Sequence, residues 1–268
     1  MDCPEHQREY AIDGWRIEPV GEWRSAPPRQ VERIVKDVVA VIEGAKGLYY
    51  RSRHAVTYFA QIEGGAGKAL ELYVKTYDPP RGLPALKARI RGDRASNVLR
   101  MTAALQRNGF RTPQVVLKGR HDRSGRTMLT SVRADGVSLP EMIRHKGGSM
   151  AHKRALIRTL GTEVARLHRC GFVHGDLTPY NIFVAQAEPP RFILLDHDRT
   201  RSGFPARLRY WQLRNLVQLG RFDLPGLSNT GRLRFFQAYA AGLGRVRDRA
   251  MLRRVAGMLE RRRRKDAG

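Results

Sequence analysis

Two stretches of this chain carry residues able to do chemistry together: His174-Gly175-Asp176-Leu177-Thr178-Pro179-Tyr180-Asn181 and Phe192-Ile193-Leu194-Leu195-Asp196. An aspartate is followed five residues later by an asparagine, and a second aspartate closes an apolar run twenty residues on. That order suits phosphoryl transfer. Asp176 is read as the base that positions the acceptor hydroxyl and takes its proton, with Asn181 and Asp196 as ligands of Mg²⁺ held against nucleotide phosphates. His-Gly-Asp with the spaced Asn arises by chance in about one chain of this length in a thousand at ordinary residue frequencies, so coincidence is set aside. His174, which opens the motif, and Asp198 are secondary candidates. Asp198 either adds an acid to the metal or acceptor site or is a surface carboxylate paired with Arg199.

These residues need elements to hold them. Ile182–Val184 and Phe192–Leu195 read as short strands around Pro189-Pro190, a hairpin that brings Asn181 and Asp196 close together. Before it, Ala151–Arg169 is a helix with Ile157, Leu160, Val164 and Leu167 on one face, ended by Gly171; Cys170 is expected to be buried at its end. Helical patterns return at Leu208–Gly220, Thr230–Gly242 and Asp248–Arg264.

Upstream the pattern changes. Leu48–Tyr50, Val56–Ile62 and Leu70–Tyr77 have strand character, a helix spans Arg94–Arg107 up to Gly109, and Val115–Lys118 and Thr127–Val132 are two more strands. Arg133–Gly136 reads as a hinge, and Ser138 caps a short helix, Leu139–His145. Residues 1–44 are expected to be a peripheral lead-in with one short helix near Val31–Val41, and 261–268 a basic tail. Strands with one helix at 45–133, then mostly helices with a catalytic hairpin at 134–260, describe an α+β, protein-kinase-like two-lobed fold: a small antiparallel-sheet N-lobe and a mainly helical C-lobe.

Within the expected N-lobe, Lys75 sits in the apolar strand Leu72–Tyr77, where kinases place a lysine on the nucleotide phosphates. An outward-facing strand lysine is the plainer alternative. Gly64-Gly65-Ala66-Gly67-Lys68 does not meet the Walker spacing and reads as a hairpin turn; the turn Arg51–His54 is the better phosphate-covering candidate. The helix Arg94–Arg107 contains no glutamate to pair with Lys75, and neither Asp93 nor Asn97 is a convincing substitute. Gly175 replaces the arginine that binds an activation-loop phosphate in many protein kinases, and no Ala-Pro-Glu follows Asp196. Both departures point to a small-molecule or glycan acceptor.

Charge narrows the partners. Fifty Lys plus Arg against twenty-five Asp plus Glu give a net +25, which attracts polyanions over long range. Nucleic acid and an anionic membrane surface both qualify. The run Arg261–Lys265 alone could hold the protein at a bilayer, at about 1 kcal/mol per basic residue; a solvated helix end is the equal alternative. Two cysteines far apart exclude a disulfide framework or zinc site. With no signal sequence or membrane-length apolar run, a cytoplasmic protein is expected.

The motifs carry a resemblance. Tyr73-Val74-Lys75, Gly109-Phe110-Arg111-Thr112-Pro113, Val173-His174-Gly175-Asp176-Leu177 with Asn181, Leu194-Leu195-Asp196-His197-Asp198-Arg199 and Arg214–Leu219 are similar to the bacterial lipopolysaccharide core kinases, the Kdo kinases and WaaP-type heptose kinases. His-Gly-Asp by itself is shared with aminoglycoside and choline kinases. The resemblance implies a kinase that uses ATP and Mg²⁺ to phosphorylate a sugar hydroxyl on the lipid A–core glycolipid, peripherally at the cytoplasmic face of the inner membrane. Two alternatives stay open: a small-molecule kinase of aminoglycoside or choline kinase type, and a non-catalytic kinase-like protein that binds polyanions.

Overall fold

The computed structural model describes residues 8–63, 69–80, 82, 92–144, 149–185, 189–204, 208–245 and 248–267. The chain divides into two compact units, Met1–Arg100 with Pro113–Ala134, and Met101–Thr112 with Asp135–Gly268.

The first unit is built on one antiparallel sheet. In chain order its strands are β1 (Tyr10–Ile12), β2 (Trp15–Pro19), β3 (Leu48–Arg51), β4 (Ala55–Glu63), β5 (Ala69–Tyr77), β6 (Val115–His121) and β7 (Thr127–Val132), arranged β1-β2-β6-β7-β5-β4-β3. Helix α1 (Pro28–Glu43) starts with proline at its first position, where no backbone N–H is needed. It buries Val31, Ile34, Val35, Val38, Val39 and Ile42 in a core shared with Trp15, Ile17, Leu72, Val74, Leu117 and Met128.

Residues 8–44 are therefore no peripheral lead-in. They supply two strands and a sixteen-residue helix rather than one short helix, and burial of each large apolar side chain is worth about 1.5–3 kcal/mol. Trp15 and Ile17 are fully buried and Arg16 exposed between them, an alternation too short to stand out in the sequence. The sheet unit accordingly carries α1 besides the start of the helix after β5. The glycine-rich turn at 64–68 lies outside the described residues, although Glu63 pairs with Ala69 across the β4–β5 ladder. The turn at Arg51–His54 does join β3 to β4, closed by the Ser52 N–H and hydroxyl donating to the Ala55 carbonyl.

Helix α2 (Arg94–Arg107) has the bounds its sequence suggests. Its end is fixed by Gly109 at φ +73°, with the Phe110 N–H on the Leu105 carbonyl and the Gly109 N–H on the Gln106 carbonyl.

The second unit is mainly helical: α3 (Leu139–Arg144), α4 (Met150–Arg169), α5 (Arg209–Gly220), α6 (Asn229–Gly242) and α7 (Arg249–Ala267). Its strands are short. β8 (Val137–Ser138), β10 (Ile182–Ala185) and β11 (Arg191–Leu194) form one small sheet, and β9 (Phe172–Val173) pairs with β12 (Arg201–Ser202). Helix α4 buries Leu156, Leu160, Val164, Ala165 and Leu167, which share a core with Leu216, Phe236 and Tyr239. Gly161 lets α4 and α6 approach: a Cβ there would stand 2.5 Å from the Phe235 carbonyl oxygen. Cys170 is exposed rather than buried, because the chain leaves the packed face of α4 at Gly171, whose φ is +77°. The expected basic tail is the last part of α7, where Arg264 pairs with Glu260 one turn earlier. No described helix is long and apolar enough to cross a membrane.

Candidate active site

The loop from β9 to β10 carries Asp176 and Asn181. It is shaped by Gly175, whose φ is +75° and whose missing Cβ would lie 2.1 Å from the Arg199 carbonyl oxygen. No side chain fits there, which accounts for the absence of an arginine at this position. Past Gly175 the Asp176 carbonyl accepts the Thr178 N–H at 2.8 Å and the Asn181 side-chain Nδ2 at 2.9 Å. The Asn181 amide is thus turned with its oxygen away from that carbonyl.

The hairpin then does what its sequence suggests. Ile182 pairs with Leu194, and the Leu195 N–H donates to the Asn181 carbonyl at 2.9 Å, so Asp196 follows directly on the residue opposite Asn181. Asp196 is exposed and held at φ +57°, ψ +76°, a left-handed conformation that aspartate tolerates better than most residues. One carboxylate and one amide oxygen are hard donors of the kind Mg²⁺ takes when phosphates and waters complete its shell. Among the described residues no group of three His, Cys, Asp or Glu stands at metal-binding spacing. A two-residue site of this kind is consistent with that, and the donor set fits the ion.

The structure places His174 behind the loop rather than at its surface. It is fully buried, and neither ring nitrogen has a hydrogen-bond partner among the described residues. Burial pushes its pKa down, outweighing the opposite pull of Asp196, the Leu195 backbone and Asp176. Its ring packs edge-on to His197 at 5.2 Å, and its carbonyl accepts the Thr200 hydroxyl at 3.0 Å. The buried His197 donates from Nε2 to the Leu194 carbonyl at 3.0 Å, so it pins the end of the hairpin. Asp198 is half-buried in the short 3-10 turn His197–Arg199.

Two residues to which sequence reasoning assigned no role hold the loop from behind. Asn215 on α5 accepts the His174 N–H at its Oδ1, 3.0 Å away. Gln218 donates from Nε2 to the Gly175 carbonyl at 2.8 Å and accepts the Leu177 N–H at 3.3 Å, while Asn215 Nδ2 donates to Gln218 Oε1 at 3.0 Å. Backbone N–H groups only donate and carbonyls only accept, so both amide orientations are fixed. Asn215 Oδ1 also lies 3.2 Å from His168 Nε2, and His168 Nδ1 lies 2.8 Å from the Tyr239 hydroxyl. His168 Nε2 therefore carries the proton and Tyr239 donates to Nδ1. Burial drops the His168 pKa to about 4 and raises that of Tyr239, so both are neutral. The findable signal was a pair of side-chain amides three residues apart, Asn215 and Gln218, set among Leu213, Leu216, Val217 and Leu219.

Lys75 belongs to the other unit. On β5 it stands opposite Leu129 of β7, on the face where Tyr77, Leu129 and Ala95 of α2 pack. Its Nζ lies 5.7 Å from the centre of the Tyr77 ring, and the Arg94 guanidinium 5.4 Å from the same ring. Asp93 is no substitute for the absent glutamate: its two carboxylate oxygens accept the N–H and hydroxyl of Ser96, capping α2. Asn97 donates to the Gly92 carbonyl at 3.1 Å.

Comparison with known proteins places the chain in a family. The model of the Lipopolysaccharide kinase (Kdo/WaaP) family matches residues 84–239. The EKC/KEOPS complex subunit BUD32 of Gibberella zeae is 30% identical over 160 residues, 57% of this chain and 56% of that protein. The chain thus spans a little over half the length of that curated relative. The solved structure of WaaP in complex with acyl carrier protein aligns over 87% of this chain and 96% of WaaP, with a TM-score of 0.62 and 20% identity, a likeness of fold. The family match covers more than half of the chain, and the fold is kinase-like: the chain belongs to the lipopolysaccharide kinase (Kdo/WaaP) family.

Proposed function

We propose that the protein transfers the terminal phosphate of ATP to a sugar hydroxyl, Kdo or heptose, of the lipopolysaccharide inner core. The observation that carries this reading is the α5-held loop and hairpin, which present Asp176, Asn181 and Asp196 from one small piece of backbone. Asp176 accepts the proton of the attacking hydroxyl. Asn181 and Asp196 would hold Mg²⁺, which when bound neutralises charge on the transferred phosphate. Lys75 contacts the nucleotide phosphates, and Arg94, beside the same tyrosine ring, adds a second positive charge there. A net charge of +25 favours an anionic glycolipid in an anionic leaflet, hence peripheral attachment at the cytoplasmic face of the inner membrane. The acyl carrier protein bound to WaaP supports a protein partner as well.

Transfer of labelled phosphate from ATP to purified core glycolipid tests the proposal. Transfer that stops when Mg²⁺ is chelated is the expected result. Equal transfer to a soluble amino alcohol, or none to the glycolipid, would shift the acceptor class.

A further inference from the structure

The catalytic loop shows one exposed side chain to solvent, and it is aromatic. From Gly171 to Ala185 every other residue is buried or half-buried, whereas Tyr180, between Asp176 and Asn181, is 57% exposed. Its ring meets Phe222 edge-on, with centroids 5.5 Å apart and planes at 80°. The guanidinium of Arg221 lies 4.7 Å from the Phe222 ring centre, and no carboxylate among the described residues pairs with it.

This cluster is held in place. Arg232 donates to the Gly220 carbonyl at 2.8 Å and to the Phe222 carbonyl at 2.9 Å, fixing the chain just after α5. Gln218, one turn earlier on α5, holds Gly175 and Leu177 on the Asp176 loop. Both halves of the cluster are thus tied to the backbone that carries Asp176.

We infer that Tyr180, Phe222 and Arg221 form the acceptor subsite, and that it takes an anionic sugar. A flat exposed ring suits the apolar face of a pyranose, and an unpaired guanidinium suits a carboxylate or phosphate on the same sugar or its neighbour. Such a subsite would set the acceptor hydroxyl beside Asp176 by positioning alone. The inference deepens the kinase reading and rests on it for its kinetic test, though not for its binding test.

The experiment uses the full chain and a deacylated core oligosaccharide containing Kdo and phosphate. Calorimetry measures oligosaccharide binding, and steady-state assays measure KM separately for oligosaccharide and for ATP. Tyr180→Ala and Arg221→Gln should each weaken oligosaccharide binding and raise its KM about tenfold, as expected of about 1.4 kcal/mol, with the KM for ATP within twofold. Tyr180→Phe should restore the oligosaccharide binding that Tyr180→Ala loses, since the ring rather than the hydroxyl makes the platform. Unchanged oligosaccharide binding in Tyr180→Ala, or a shift in the ATP KM instead, would overturn the subsite. So would a wild type that binds no anionic sugar. Wild-type binding lost in Tyr180→Ala, with no phosphate transferred by either protein, would sink the kinase proposal and leave the subsite standing.

Discussion

Gly175 and Asp176 are neighbours whose substitution should fail in different ways. Gly175→Ala forces a Cβ against the Arg199 carbonyl oxygen and an alanine into φ +75°. Left-handed strain alone costs about 1–3 kcal/mol, so the urea midpoint of this variant should fall and activity with it. A midpoint equal to wild type would contradict the described loop. Asp176→Asn keeps size and shape but cannot take the proton. Turnover should drop by about 10²–10⁴-fold, the usual worth of a general base, with the midpoint unmoved. Appreciable remaining activity would remove Asp176 from the mechanism. The candidate residues were legible in the sequence at this scale, because Asp, Asn and Asp at fixed spacing form a pattern of types. The sequence did not expose why glycine precedes the aspartate, since that depends on a carbonyl twenty-four residues away in the chain.

At the scale of elements, α5 is the part that local patterning describes least. Its span was legible, but Asn215 and Gln218 act through contacts with His168, His174, Gly175 and Leu177, about forty residues off. Asn215→Ala would leave the His174 N–H and the His168 Nε2–H buried without acceptors, at about 1–3 kcal/mol per group. Both stability and turnover should fall, and an Ala variant with full activity would show that the loop holds itself. The same network makes stability depend on pH. The folded-state pKa of His168 is lowered from 6.5 to about 4. Between those values the unfolded chain binds a proton that the folded one does not, so stability is complete above about pH 6.5 and is lost as pH falls towards 4. The buried His174 shifts in the same direction. For His168 the loss is about 3 kcal/mol across the window, readable as urea stability at pH 7.5 and 4.5; His168→Gln should flatten the slope. An unchanged slope would contradict a neutral buried His168. The helices and longer strands from Leu48 onward were legible from period and turn residues, whereas β1 and β2, at three and five residues, and the two-residue β8, β9 and β12 are too short to announce themselves.

For the whole molecule, the charge of +25 favours anionic surfaces. Binding to vesicles containing anionic lipid should be strong at low salt and weaken as salt rises. Deleting residues 261–268 removes five basic residues from the end of α7, so vesicle affinity should fall while activity on soluble core oligosaccharide holds. Equal loss of both would make this end part of the folded body rather than a membrane contact. The central claim, that Asp176 serves phosphoryl transfer to lipopolysaccharide core, is tested most directly by mass spectrometry of core glycolipid after incubation with Mg-ATP and either wild type or Asp176→Asn. A gain of one phosphate with wild type only is the predicted result. No gain with wild type, or the same gain with both proteins, would contradict it.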